Sequence, residues 1–123
     1  MTICGLVGAE LWVEADQPSF DISAVLTMVD PQGRSCNLTQ GHARFDATKA
    51  GPRHVAMRAT MTTVPAGHAL RLSLAAANFP AFPVNPGTGA PPAHARAEGE
   101  RIIVLTLHHG DATPSRLLLP IMR

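Results

Sequence analysis

The amino-acid sequence predicts an all-β sandwich or barrel, and three observations support this fold class. Apolar and polar residues alternate with a period of two along several short runs, as they do in strands that bury one face. Ten glycines and eleven prolines punctuate these runs in a chain of 123 residues. No long run shows the apolar spacing of an amphipathic helix. Many short strands without helices are typical of two sheets packed face to face, although periodicity leaves immunoglobulin-like, jelly-roll and barrel topologies open.

The predicted strands follow one another with turn residues between them. Leu70, Leu72 and Leu74 alternate with Arg71 and Ser73, which is the clearest strand pattern in the chain. We expect Leu72 to be buried between the sheets. The predicted strands span residues 9–15, 20–28, 34–45, 55–61, 70–74, 101–108 and 116–121.

A loop over residues 78–97 separates the fifth and sixth predicted strands. It is rich in proline and glycine, and each proline lacks the N–H group that strand pairing needs. Loops of this length in a compact domain are usually functional or belong to an interface.

The composition indicates a covered surface and excludes several partners. Only 15% of the residues are charged while 46% are hydrophobic, against about 25% charged in average domains, so we expect part of the exterior to pack on another surface. A net charge of +1, with dispersed Lys and Arg, argues against nucleic acid. The chain has no long apolar run and no leader pattern, which predicts a cytoplasmic protein without membrane contact. Cys4 and Cys36 are expected to be thiols.

Three ordered blocks of the sequence resemble one protein family. Residues 11–41 read LWVEADQPSFDISAVLTMVDPQGRSCNLTQG and contain the elements F-D-I, V-D-P-x-G-R and N-L-T-x-G. The second block comprises residues 65–80, PAGHALRLSLAAANFP, with residues 85–89, NPGTG, and the third block is residues 114–120, PSRLLLP. In order and spacing, these blocks resemble the C-terminal domain of the X-Pro dipeptidyl-peptidase and cocaine-esterase class of serine hydrolases.

This resemblance implies a jelly-roll β-sandwich of the galactose-binding-like type, as one domain over residues 1–123. It also implies a non-catalytic role, because a separate α/β-hydrolase domain of the family holds the Ser, Asp and His triad. The expected partner is that catalytic domain, in the same or a separate chain, on which the sandwich packs and whose substrate pocket it helps to shape. The family's domain also begins with earlier strands, so we expect the chain to lack its first strands and to leave a sheet edge or groove unfilled.

The residues themselves predict no catalytic site. The sequence lacks the G-x-S-x-G motif, which exposes a serine hydroxyl on a strand-to-helix turn. Its serines fall in predicted strands or turns, and its six histidines have no predictable nucleophile partner. His108 and His109 would point to opposite faces of a strand, so with Asp111 they indicate a polar turn rather than a metal site. We therefore expect no cofactor, no metal and no activity from the isolated chain.

Candidate contacts with a partner come from one tryptophan and from the long loop. Trp12 is opposite in parity to Leu11 and Val13, which favours the outer face of its sheet. The long loop also contains Phe79 and Phe82. A contact with a partner and a loop that folds on its own core explain these two phenylalanines equally well. The candidate interface residues are Trp12, Asn78, Phe79, Phe82 and Asn85.

Two further functional expectations remain. The second hypothesis is a free-standing module that binds carbohydrate or another small ligand, although one tryptophan and no tyrosine offer a sugar little aromatic surface. An unfilled sheet edge also predicts that the isolated chain forms a homo-oligomer, because unpaired strand edges accept a second chain.

Overall fold

Two antiparallel sheets face each other across an apolar core. The computed structural model describes residues 1–49 and 51–123. Two short 3-10 helices, Pro92–His94 and Ala97–Gly99, lie in the long loop. The strands are β1 (Thr2–Ala15), β2 (Ser19–Val29), β3 (Ser35–Asp46), β4 (Arg53–Thr63), β5 (Ala69–Ala75), β6 (Leu105–His108), β7 (Arg116–Leu118) and β8 (Ile121–Met122).

β1 is the central strand of the first sheet. It pairs antiparallel with β4 along one edge and with β8, β7 and β6 in turn along the other. Ile3 thus lies opposite Ile121 in β8, and Trp12 lies opposite His108 in β6. The residues of β1 that point into the core are apolar and buried, and they are Ile3, Val7, Ala9, Leu11 and Val13.

β2 is the central strand of the second sheet, between β3 and β5. Phe20, Ile22 and Leu26 point into the core, while Asp21 and Ser23 point to the opposite face. Both sets are buried. The outer face of β2 is therefore covered, and the cover is the loop that follows β5.

Asp30 fixes the turn between β2 and β3. Its Oδ1 accepts hydrogen bonds of 2.9 Å from the backbone N–H groups of Gln32 and Arg34, and Arg34 Nε donates to its Oδ2 at 2.6 Å. These bonds, above all the backbone bond from Arg34, lower the pKa of the Asp30 carboxyl. A turn at residues 30–33 thus joins the second strand to the third.

One side of the sandwich is closed by the close approach of β3 to β4. Thr39 Oγ1 donates a hydrogen bond of 2.6 Å to the carbonyl oxygen of Arg58. Gly41 allows this approach, because a Cβ atom at that position would overlap the carbonyl oxygen of Ala56. The two sheets are thereby joined along this corner.

The opposite side, between β5 and β6, is open. β5 pairs only with β2, and β6 pairs only with β1, in the part of the chain that the structure describes. An apolar groove of about 300 Å³ lies between them, with Val13 and Ile22 at its floor and Leu74 and Leu107 on its walls. We call this feature the open groove.

The structure confirms the predicted β-sandwich and corrects several details. The first strand begins at Thr2 rather than near residue 9, because pairing with β4 and β8 orders the glycine-containing segment before it. Residues 101–104 are not a strand, since β1 ends at Ala15 and offers them no partner. The last predicted strand is divided into β7 and β8 around Pro120, which has no N–H group to donate.

Leu72 is half-buried rather than buried, so this prediction was only partly right. It packs against the core on the inner face of β5, opposite Leu26, as the alternation predicted. β5 is an edge strand beside the open groove, and no further strand covers its outer edge in the described residues. Alternation shows which face a residue occupies, but it does not show how completely that face is covered.

Candidate functional site

A buried asparagine anchors the long loop on the outer face of β2. Asn85 is 5% exposed, and its Nδ2 donates a hydrogen bond of 2.7 Å to Oδ1 of Asp21. Its Oδ1 accepts two bonds, from Ser19 Oγ at 3.0 Å and from the backbone N–H of Gly87 at 2.9 Å. Asn85 therefore ties the loop to two residues of β2 and at the same time shapes the turn that follows it.

The turn after Asn85 needs glycine for its backbone conformation. Gly87 and Gly89 have φ values of 74° and 82°, in the left-handed region. The backbone N–H of Gly89 donates to Ser19 Oγ at 3.2 Å. Arg44 Nη2 closes the turn, because it donates to the carbonyl oxygen of Ala90 at 2.6 Å. The N-P-G-T-G block is thus the segment that attaches the loop to β2 and β3.

The second oxygen of Asp21 meets a histidine. Nε2 of His42 lies 3.0 Å from Oδ2 of Asp21, and both side chains are less than one-tenth exposed, at 8% and 7%. The ring of Phe82 stacks on the imidazole at a centroid distance of 4.0 Å and an angle of 6°. Phe82 therefore covers the pair and fixes the loop at a second point.

Beside these two fixed points the loop exposes apolar side chains. Phe79 is 73% exposed, Val84 is 46% exposed and Phe82 is 41% exposed. Asn78 is half-buried at the beginning of this segment. We name residues 78–84 the apolar loop segment.

The two loop phenylalanines differ in their surroundings, and a contact of either with a partner stays a prediction. Phe82 packs on His42 of its own domain, whereas Phe79 projects from the surface. Asn85, which the sequence placed among the interface candidates, is buried and bonded inside the domain. Trp12 is half-buried on β1, away from the loop in sequence, and borders a different cavity.

The family model of the X-Pro dipeptidyl-peptidase C-terminal non-catalytic domain matches residues 1–118. The chain belongs to this family. It is also 29% identical over 133 residues to the cocaine esterase of Rhodococcus sp. (strain MB1 Bresler). That alignment covers 98% of the chain but 23% of the esterase, so the chain spans about a quarter of the relative's length. The resemblance found in the three sequence blocks is confirmed.

The family's non-catalytic description agrees with the environment of the serines. Asp21 and His42 form a carboxylate–imidazole pair, but the serine of this network, Ser19, donates its proton to Asn85 rather than to an imidazole. Ser115 Oγ donates to the backbone carbonyl of His108 at 2.6 Å. Among the described residues, no serine hydroxyl forms a hydrogen bond to a histidine ring, and no three His, Cys, Asp or Glu side chains cluster as metal ligands.

Sequence reasoning missed the residues that hold this family domain's loop in place. Asp21, His42 and Arg44 alternate with apolar residues, so each resembled an ordinary solvent-facing position of a strand. The burial of Asp21 and of the His42 side chain depends on a loop that crosses them from a distant part of the chain. The one available signal was the N-P-G-T-G block, since two glycines close together indicate a tight turn.

The helices that the structure describes are two single 3-10 turns, and none is long and apolar enough to cross a membrane.

Proposed function

We propose that this domain docks on an α/β-hydrolase catalytic domain through the apolar loop segment and helps to shape the substrate pocket of that enzyme. The observation that carries the proposal is the 73% exposure of Phe79 on a loop that Phe82 and Asn85, a few positions further along, fix to the second sheet. The family description and the match to part of a cocaine esterase support a hydrolase as the partner. The proposed domain comprises residues 1–123.

The apolar loop segment has the chemistry of a contact surface. Exposed aromatic side chains are the usual anchors of protein interfaces, since they bury a large apolar area with few rotatable bonds. The bonds of Asn85 and the stacking of Phe82 on His42 hold the segment before any partner binds. Docking then loses little conformational entropy, which favours affinity.

Polar groups beside the segment can supply the rim of the interface. A cavity of about 290 Å³ lies next to Phe82, and Gln40, Arg58 and Asn78 line it. Interfaces commonly combine an apolar centre with hydrogen-bonding groups at the edge. We infer that Asn78 contacts polar groups of the hydrolase.

Two other expectations remain proposals. Trp12 stays a predicted contact residue. The exposed thiols of Cys4 and Cys36 fit a cytoplasmic location, because thiols persist in reducing compartments.

We also propose that the isolated chain forms a homo-oligomer through the open groove. The outer edge of β5 carries unpaired backbone groups, and the groove beside it is lined by apolar side chains. A second copy could add its own β5 to this edge and cover the groove.

A chimera tests the docking surface. In the chimera, this chain replaces the aligned segment of the Rhodococcus cocaine esterase. Thermal unfolding is measured for the parent chimera and for its variants Phe79→Ala and Leu6→Ala. Leu6 is 75% exposed on the outer face of β1, so it matches Phe79 in exposure but not in location. We expect Phe79→Ala to destabilise the chimera by about 1 kcal/mol or more, as truncation of an interface anchor does, and to leave the isolated chain unchanged.

Equal stability of the Phe79→Ala chimera and its parent would show that the apolar loop segment is not the docking surface. If Leu6→Ala alone destabilises the chimera, the outer face of the first sheet is the docking surface instead.

A further inference from the structure

A cavity of about 470 Å³ lies at one end of the sandwich, where β1 ends and β4 begins. It is separate from the apolar loop segment and from the open groove, and its size is in the range of small-ligand pockets. The residues that line it include Trp12, Glu14, Lys49, Arg53, His108 and Thr113. We call it the Arg53 cavity.

Arg53 is an inward-facing cation that is 7% exposed. Its guanidinium lies over the rings of Phe20 and Phe45, at 5.6 Å and 6.0 Å from the ring centroids. Nη2 donates to the backbone carbonyl of Lys49, but no hydrogen bond is made by Nε. None of the ion pairs among the described residues includes Arg53.

This environment leaves the charge of Arg53 incompletely compensated. The two aromatic rings offset part of the desolvation of a buried cation, but they do not replace a counter-ion. Buried charges in proteins are normally paired with an opposite charge. An anion in the Arg53 cavity would supply that charge.

The other walls indicate what kind of anion fits. Nε2 of His108 is buried without a hydrogen-bond partner, although Oε2 of Glu14 lies 3.3 Å away. Trp12 presents a half-buried aromatic ring, and Val13 adds apolar surface. Glu14 and Lys49 bring opposite charges to the same cavity, so the charge of Arg53 is left over, and this favours an anion with a single charge.

We propose that the Arg53 cavity binds the carboxylate of a small aromatic acid. The guanidinium pairs with the carboxylate, since its planar N–H groups match the two oxygens of that group. The ring of Trp12 packs against the aromatic part of the ligand. This site is independent of docking on a hydrolase, because every residue in it belongs to this chain.

Trp12 itself reports on the site. It is the only tryptophan of the chain, and the chain has no tyrosine, so its fluorescence can be followed without interference. The intact chain is titrated with sodium phenylacetate, with phenylacetamide as the uncharged analogue, and with acetate. We expect a saturable change in Trp12 emission with phenylacetate, and affinities at least about tenfold weaker for the amide and for acetate.

Three variants complete the test. Arg53→Gln is expected to weaken phenylacetate binding by about tenfold or more, because it removes the charge that the carboxylate meets. Glu14→Gln is expected to tighten binding, since it removes a like charge from the cavity. Arg58→Gln, which changes an exposed arginine of the same strand, serves as the matched control and is expected to leave binding unchanged.

The proposal is overturned if phenylacetate gives no saturable change in the millimolar range, or if phenylacetamide binds equally well. It is also overturned if Arg58→Gln weakens binding as much as Arg53→Gln does. Should Arg53→Gln fail to fold, the comparison of phenylacetate with its amide and the effect of Glu14→Gln still decide the question.

Discussion

Asn85 donates a hydrogen bond of 2.7 Å to the buried carboxylate of Asp21, although 64 positions separate the two residues along the chain. This contact joins the long loop to the central strand of the second sheet. The loop is therefore part of the folded structure near Asn85 and an exposed apolar surface near Phe79.

Asn85→Ala is expected to lower the free energy of unfolding by about 2 kcal/mol or more, because Oδ1 of the buried Asp21 loses its donor and the hydroxyl proton of the buried Ser19 loses its acceptor. Asn78→Ala, in the same loop but half-buried, is the control and is expected to have a much smaller effect. Denaturant unfolding measures both. Equal losses for the two variants would contradict the anchoring role of Asn85.

Gly41→Ala is expected to destabilise the protein by about 3 kcal/mol or more, since the added methyl group overlaps the backbone of β4 and forces the two sheets apart. Gly99→Ala is the control, because a Cβ atom there meets no atom within 4 Å. Thermal unfolding compares them. A neutral Gly41→Ala would mean that β3 and β4 do not approach as closely as described.

Leu26 of β2 and Leu72 of β5, which lie opposite each other, should differ in how much stability is lost when each is changed to alanine. Leu26→Ala, at a fully buried position, is expected to cost about 2 to 5 kcal/mol. Leu72→Ala should cost less, because Leu72 is half-buried, and the exposed Arg71→Ala should cost least. If denaturant unfolding shows equal losses of stability for Leu72→Ala and Arg71→Ala, the inward orientation of Leu72 is refuted.

The strands of this fold were largely predictable, because alternation follows from the two-residue repeat of a strand. Phe20, Ile22 and Leu26 fall on one face of β2 in the sequence as they do in the structure. The beginning of β1 was not predictable. Gly5 and Gly8 interrupt its apolar pattern, and its strand conformation depends on pairing with distant segments.

Sequence patterns could not predict the contacts that hold the long loop on Asp21 and His42, nor could they predict the Arg53 cavity. Asp21 and His42 are polar at outward positions, so only the crossing of a remote loop explains their burial. Arg53 lies between the third and fourth predicted strands, but in the structure it begins β4 and points inward. In both cases the burial of a polar residue depends on tertiary contacts that local periodicity does not encode.

Self-association through the open groove should be sensitive to charge at β5. Leu74, which is 37% exposed on the groove wall, is changed to Lys, and Leu6→Lys on the outer face of β1 is the control. Light scattering at micromolar concentration is expected to show a dimer for the parent and for Leu6→Lys, and a monomer for Leu74→Lys, because an inward lysine blocks edge pairing. A parent chain that is monomeric near its mass of 13.0 kDa would contradict this proposal.

The most direct test of the central claim, that this domain has no catalytic role of its own, is the hydrolase activity of the purified chain. Turnover of p-nitrophenyl esters and Xaa-Pro p-nitroanilides is measured with and without a serine-directed inhibitor. We expect no turnover above the buffer rate, because Ser19 and Ser115 donate their protons to Asn85 and to a backbone carbonyl rather than to an imidazole. Turnover that follows the purified chain and is abolished by the inhibitor would contradict the claim.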